Sequence, residues 1–172
     1  MPAQLFPSDL SYRNFEGHAI RQWDTLEVLR DNLPSGYSVF HGLHWSRLEA
    51  GLTVSGQLQF VILTPAGGLV CMLMRTGLLQ VRDGSCFKKY MGQSEDVIET
   101  LHRDAARLVV GLRERGDLMP HVEPLLYCPD FKMVAQAGLG LPNARILDSS
   151  TKDSLVPLCI ELNNNIQEQG LA

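Results

Sequence analysis

The sequence predicts an α/β fold in which a central mixed sheet is flanked by helices. Segments rich in apolar and β-branched residues between positions 37 and 75 predict three consecutive strands. A periodic apolar stripe over 94–115 predicts a long amphipathic helix, and a further apolar segment over 122–128 follows it. A run of strands, a helical crossover and a parallel strand together require a sheet of mixed direction with helices on its faces.

The N-terminal part of the chain divides into an arm and a first helix. Residues 1–13 contain two prolines and are predicted to form an extended arm ahead of a single domain over 14–172. Apolar residues recur at nearly helical spacing over 14–32, and Pro34 with Gly36 ends the pattern.

The predicted strands follow this helix. Residues 37–45 are aromatic and β-branched and predict the first strand, and a polar loop is expected over 46–55. Two apolar strands over about 57–64 and 68–75 are joined by a Gly/Pro turn. The segment 78–82 is expected to extend this sheet up to a turn at Asp83-Gly84.

The C-terminal half contains the clearest helix. Over 94–115, Ser94 is the expected N-cap and Gly116 the expected stop. The strand over 122–128 ends before a Pro-Asp pair, and a short strand is expected over 144–147. A last helix is predicted over 152–168, and its proline predicts a start near position 155.

Composition indicates an ordinary globular domain. The chain has 172 residues, 45% of them hydrophobic, and a formal net charge of −4, so no general affinity for nucleic acid or anionic membrane is expected. A local basic patch is compatible with that charge. No CxxC pair is present, so the four cysteines are expected to be buried, reduced thiols. No secretory signal or membrane-spanning run is present, and the predicted location is the cytoplasm.

The common catalytic and cofactor motifs are missing from the sequence. It contains no P-loop, GxGxxG, GxSxG or HExxH pattern. His41 and His44 are three positions apart in a predicted strand, so their side chains are expected on opposite faces and not on one metal.

Five short segments, in this order, are similar to a known family. They are VFHGLHW (39–45), GQLQFVIL (56–63), LMRTG (73–77), LHR (101–103) and LYCPD (126–130). With these segments the chain resembles the nuclease-related domain (NERD) family, in particular its helicase-associated branch. The resemblance spans about residues 14–150 and implies the αβββαβ core of restriction-endonuclease-like folds.

The same resemblance implies a metal site in active relatives. In that family the first core strand usually reads Gly-Glu-Ile-Asp-Phe-Val, and the next carries Glu-x-Lys. Phosphodiester cleavage uses a divalent metal to orient water and to neutralise developing charge. Mg²⁺ requires oxygen ligands, so each strand supplies a carboxylate, and the lysine steadies the transition state.

This chain departs from the family pattern at each of these positions. Gln57 and Gln59 replace the glutamate and the metal-binding aspartate of the first strand, and Leu73 and Arg75 replace Glu and Lys of the second. A neutral amide is a poor ligand for Mg²⁺, leucine is no ligand, and arginine is not a base. Glu16, the remaining family acid, cannot hold a metal alone, and its plainer interpretation is a solvated acid at the start of the first helix. We therefore predict no catalytic site and a lost Mg²⁺ cofactor.

Basic residues near the predicted cleft suggest that it can still bind nucleic acid without cleaving it. A phosphate backbone would be contacted by Arg47, Arg75, Arg82, Lys88 and Lys89, with Tyr90 beside them. The alternative is an ordinary solvated hairpin. The leading hypothesis is a catalytically inactive nuclease-like domain that binds nucleic acid or docks a protein, linked to a helicase or to a DNA-processing or defence system.

Two alternatives stay open at this point. The first is an active Mg²⁺-dependent DNA nuclease with relocated carboxylates, for which the available acids are Glu16, Glu49, Asp83 and Asp130. The second is a purely structural subunit of a larger complex, without nucleic-acid contact.

Overall fold

The computed structural model describes residues 3–6, 18–116, 121–133 and 138–170. Within these ranges, the side chains at 18–19, 44–49, 53–56 and 170 are outside the description. Glu16 and the side chains of Arg47 and Glu49 therefore lie outside the described part of the chain.

The described residues form a mixed sheet flanked by helices, which confirms the predicted α/β class with a central mixed sheet. In chain order the elements are β1 (Gln4–Phe6), α1 (His18–Asn32), β2 (Ser38–Glu49), β3 (Leu52–Leu63), β4 (Leu69–Met74), β5 (Gln80–Arg82), β6 (Ser85–Tyr90), β7 (Gln93–Asp96), α2 (Val97–Glu114), β8 (Val122–Tyr127), β9 (Ile146–Leu147) and α3 (Leu155–Gly170).

The central sheet has six strands in the order β1-β2-β3-β4-β8-β9. The pairs β2–β3 and β3–β4 are antiparallel, whereas β1–β2, β4–β8 and β8–β9 are parallel. The crossover from β4 to its parallel neighbour β8 contains α2, as the sequence predicts. The expected N-terminal arm contributes β1, which pairs with the start of β2, a pairing that the sequence did not indicate.

The predicted polar loop over 46–55 is wrong. β2 continues to Glu49, β3 begins at Leu52, and only Ala50 and Gly51 form the turn. Their φ angles are +50° and +79°, which suits a tight two-residue hairpin turn. The backbones of these two segments pair in a continuous antiparallel ladder down to Glu49 and Leu52, so the polar residues there do not end the strands.

The segment after β4 does not extend the central sheet, so this prediction is also wrong. β5 pairs with β6, and β6 pairs with β7, in a separate three-stranded sheet. The chain leaves the central sheet at Gly77, whose φ of +74° turns the backbone away. The predicted turn at Asp83-Gly84 is confirmed, with φ angles of +52° and +73°.

The two predicted C-terminal helices are present with shifted ends. α2 begins after Asp96, whose carboxylate accepts a hydrogen bond from the Glu99 amide at 3.2 Å, so Ser94 is not the N-cap. Ser94 lies within β7 instead. α3 begins at Leu155, as predicted, and carries Pro157 in its first turn, where the missing amide hydrogen leaves no helical bond unmade.

Buried side chains form one cluster on each face of the central sheet. The first lies under α1 and α3 and includes Leu29, Phe60 and Leu158. The second lies under α2 and includes Leu73 and Leu101. Among the described residues, no helix combines the length and the apolarity that a membrane crossing requires.

Candidate functional site

A polar cleft lies at the carboxyl end of β4, beside α1 and the small sheet. Its volume is about 390 Å³. It is lined by Gln22, Gln59, Met74, Arg75, Thr76, Lys88 and Tyr90. Two of the predicted motif positions, Gln59 and Arg75, therefore meet at one site with Lys88, which like Arg75 is one of the predicted basic residues.

Gln59 holds the end of β4. Its side-chain oxygen accepts a hydrogen bond from the backbone N–H of Met74 at 2.6 Å. Backbone pairing between β3 and β4 runs only from Leu63–Leu69 to Phe60–Met72. The Gln59 side chain thus takes the place of a strand partner where the two strands separate. Gln57, in contrast, is exposed and lies outside the cleft lining.

Leu73 does not line the cleft. Its side chain is 4% exposed and belongs to the buried cluster under α2. The next residue, Met74, belongs to the cluster on the opposite face, as expected for neighbours in a strand. At this motif position the chain therefore has a core side chain and no polar group.

Arg75 forms a two-bond ion pair with Glu95 of β7. Its Nε and Nη2 atoms donate to the two carboxylate oxygens at 2.7 and 2.9 Å, and Nη1 donates to the Met74 carbonyl at 2.9 Å. Burial alone would raise the pKa of Glu95, but the hydrogen bonds and charge of Arg75 outweigh it, so this pKa lies below its ordinary value. The pair joins the central sheet to the small sheet.

The predicted basic residues are divided between two faces of the small sheet. Lys88 points into the cleft, where Nζ donates to the Thr76 carbonyl at 2.5 Å. Its neighbour Lys89 occupies the opposite face, because successive strand residues alternate. Arg82 shares that outer face, with its guanidinium 5.0 Å from the centre of the Phe87 ring.

A second ion pair fixes the loop after β4. Asp130 accepts hydrogen bonds from both terminal nitrogens of Arg21 on α1 and from the Gly77 amide at 2.8 Å. Burial would raise the pKa of Asp130, but these donors and the charge of Arg21 bring it below its ordinary value. The sequence analysis named Asp130 in the LYCPD segment and as an available acid, and nothing in the pattern indicated Arg21 as its partner.

The two described acids that were considered for a relocated metal site, Asp83 and Asp130, do not line the cleft. Asp83 is exposed in the β5–β6 turn, and Asp130 is engaged by Arg21 and Gly77. Glu16 and the side chain of Glu49 lie outside the description. Over the described ranges, no three His, Cys, Asp or Glu side chains are grouped as metal ligands. The loss of Mg²⁺ remains a prediction.

Comparison of the chain with known proteins found no matching family model, no matching curated protein and no matching solved structure. The resemblance to nuclease-related domains therefore remains a prediction from the motifs. A function for this chain is inferred from the side chains that line the cleft.

Proposed function

We propose that this protein is a non-catalytic, nuclease-like domain that binds a strand of nucleic acid in the polar cleft at the end of β4. The series α1, β2, β3, β4, α2 and β8, with β4 parallel to β8, supports the αβββαβ core implied by the resemblance. Association with a helicase or another DNA-processing protein is part of the same proposal and has only the motif resemblance behind it.

The arrangement of Gln59 and Leu73 is the main support for a non-catalytic role. The Gln59 oxygen accepts the Met74 amide hydrogen, and Leu73 is buried under α2. Neither position offers the carboxylate that a hard divalent cation needs. Glu95, which contacts the cleft residue Arg75, is already bound by it through both carboxylate oxygens.

The remaining cleft groups suit a phosphodiester. Arg75 is balanced by Glu95, whereas the Lys88 ammonium uses one of its three hydrogens on the Thr76 carbonyl. The amide groups of Gln22 and Gln59 add neutral donors at the same cleft. These groups would hold a phosphate without a competing free carboxylate among them.

Tyr90 favours a single strand over a duplex. Tyr90 is 47% exposed. It lies at the rim of the cleft, near the tip of the β6–β7 hairpin. An exposed aromatic ring beside a phosphate-binding cation is the combination that stacks an unpaired base. A duplex keeps its bases stacked inside and gains nothing from this ring.

The binding test uses adjacent lysines on opposite faces as matched variants. We expect a fluorescently labelled single-stranded oligonucleotide to bind at low salt, with affinity that falls as salt rises. Lys88→Gln should weaken binding roughly fivefold, the value of about one charge-assisted contact. Lys89→Gln removes the same charge from the outer face and should leave the affinity within about twofold of wild type.

Two results would reject the proposed binding site. An equal loss in both lysine variants would show that binding depends on general charge and not on the cleft, and an absence of binding at low salt would reject nucleic-acid binding altogether. Catalysis is tested separately by incubating DNA with Mg²⁺ or Mn²⁺. We expect no cleavage, and metal-dependent cleavage abolished by Glu16→Ala would establish the relocated-site nuclease instead.

A further inference from the structure

An apolar cavity of about 710 Å³ lies at the opposite end of β4 from the polar cleft. Its floor is formed by Phe40, Leu43, Val61 and Leu63 of β2 and β3, and Leu108 and Leu112 of α2 form a wall. The volume is in the range of pockets that enclose small organic ligands.

The cavity exists because α2 covers only part of the sheet. The buried residues of α2 lie between Val97 and Ala105, and the helix packs against β4 and β8. Its apolar stripe continues to Leu108 and Leu112, which are only half-buried. Apolar side chains of the helix and of the β2–β3 floor therefore face a common space that the described residues leave unfilled.

The end of α3 closes one side of this space. Ile166 lines the cavity together with Ala66 and Gly67 of the β3–β4 turn. The contact with the turn is close, since a Cβ atom on Gly68 would lie 2.0 Å from Cδ1 of Ile166. The cavity is therefore bounded by α2, by the β2–β3 floor and by the end of α3.

One cation at the rim has no acidic partner among the described residues. Arg115 lines the cavity and is exposed, and no ion pair within the described ranges involves it. The other ionisable residue at the cavity, His121, contacts Glu123 at 2.9 Å, and Glu123 also contacts Arg145 at 3.3 Å. Arg115 is therefore the available group for an anion.

We propose that this cavity binds an amphipathic organic anion, namely a fatty-acid-like carboxylate with a slender apolar chain. The chain lies between Leu108 and Leu112 of α2 and the floor formed by β2 and β3. The carboxylate reaches the rim and accepts hydrogen bonds from the Arg115 guanidinium, whose planar donors match a carboxylate. Burial of the chain supplies most of the affinity, and Arg115 supplies the preference for an anionic head group.

Calorimetric titration with decanoate and with decanol tests both parts of the proposal. We expect saturable binding of decanoate to one site per chain, about tenfold tighter than that of decanol. Arg115→Gln should abolish this preference and leave decanol binding unchanged. Arg113→Gln removes an exposed charge from the same helix end outside the cavity lining and should retain the preference.

Filling the cavity gives an independent test of its location. Leu112→Trp places a larger apolar side chain in the wall, and we expect it to weaken both ligands while circular dichroism shows an unchanged fold. Absence of binding to wild type would overturn the proposal. Equal affinity for the acid and the alcohol in wild type would also overturn it, as would unaltered binding by a folded Leu112→Trp variant.

Discussion

The side-chain oxygen of Gln59 accepts a hydrogen bond from the backbone N–H of Met74 at 2.6 Å. This bond continues the connection between β3 and β4 beyond the last backbone pair, Phe60–Met72. Met74 is 3% exposed, so water does not readily replace the glutamine. The position at which the motif resemblance implies a metal-binding aspartate therefore has a structural role in this chain.

Removing the Gln59 oxygen should destabilise the protein. We expect Gln59→Ala to lower the free energy of unfolding by about 1–3 kcal/mol, because the Met74 N–H is left without an acceptor in a buried place. Urea denaturation followed by circular dichroism measures the change. Gln57→Ala is the control, since this side chain is exposed on the same strand, and its effect should stay within about 0.5 kcal/mol. Equal losses of unfolding free energy in Gln59→Ala and Gln57→Ala would show that the Gln59–Met74 hydrogen bond does not stabilise the fold.

The Arg75–Glu95 pair should make stability depend on pH in the acidic range. The pKa of Glu95 is below its ordinary value of 4.5 in the folded protein, so the folded state favours the ionised carboxylate. This contribution is present above the unfolded pKa and is lost as the pH falls through the folded one. We expect the free energy of unfolding to decrease from about pH 5 downward, and Glu95→Gln to reduce that slope in denaturation experiments.

At neutral pH, Glu95→Gln should lower the free energy of unfolding by about 1–3 kcal/mol. The reason is that the Arg75 side chain is only 17% exposed and would lose its charged partner. Asp31→Asn provides the comparison. It removes a carboxylate paired with Arg30, but its side chain is 58% exposed, and we expect no measurable change in stability. A pH profile of Glu95→Gln that coincides with wild type would contradict the assigned role of the pair.

The cysteines should be unreactive in the folded protein. Cys71, Cys86, Cys128 and Cys159 are all buried and free, and burial raises the pKa of Cys71 and Cys159 to about 12 and that of Cys86 to about 11. Because the thiolate is the reactive form, a thiol reagent at pH 8 should modify the native chain slowly and all four thiols quickly in denaturant. Modification of any of them in the native protein at the rate of free cysteine would contradict the burial.

Local periodicity was sufficient to predict some elements of the central fold and not others. The stripe of α2 and the two apolar strands flanking the 64–68 turn were predicted close to their observed positions, because each is specified by residues near one another in sequence. The hairpin at Ala50-Gly51 was missed because its strands are polar near the turn, where pairing between backbones outweighs the side-chain pattern.

The cleft could be predicted only in part. Gln59, Arg75 and Lys88 were identified, but their arrangement depends on residues distant in sequence. Glu95 falls within the helix predicted over 94–115, whereas it lies in β7 and binds Arg75, 20 positions away. The two residues meet because β7 belongs to the small sheet, which lies beside the end of β4, and no local sequence pattern specifies this arrangement.

The backbone of Gly77 lies close to the side-chain ammonium of Lys88 in the cleft. Its φ is +74°, and a Cβ atom at this position would lie 2.9 Å from Nζ of Lys88. We expect Gly77→Ala to lower stability by about 1 kcal/mol through backbone strain. It should also displace Lys88 from the Thr76 carbonyl and weaken oligonucleotide binding as Lys88→Gln does.

Gly92→Ala separates these two effects. Gly92 has a φ of +75°, almost the same as Gly77, but a Cβ atom there would meet nothing within 4 Å. Both variants should therefore show similar losses of stability in urea denaturation. Only Gly77→Ala should weaken binding of the fluorescently labelled oligonucleotide, measured by fluorescence anisotropy. If both variants bind with wild-type affinity, the position of Lys88 at the cleft does not matter for binding. If both weaken it equally, the loss reflects general strain and the specific role of the cleft lysine is rejected.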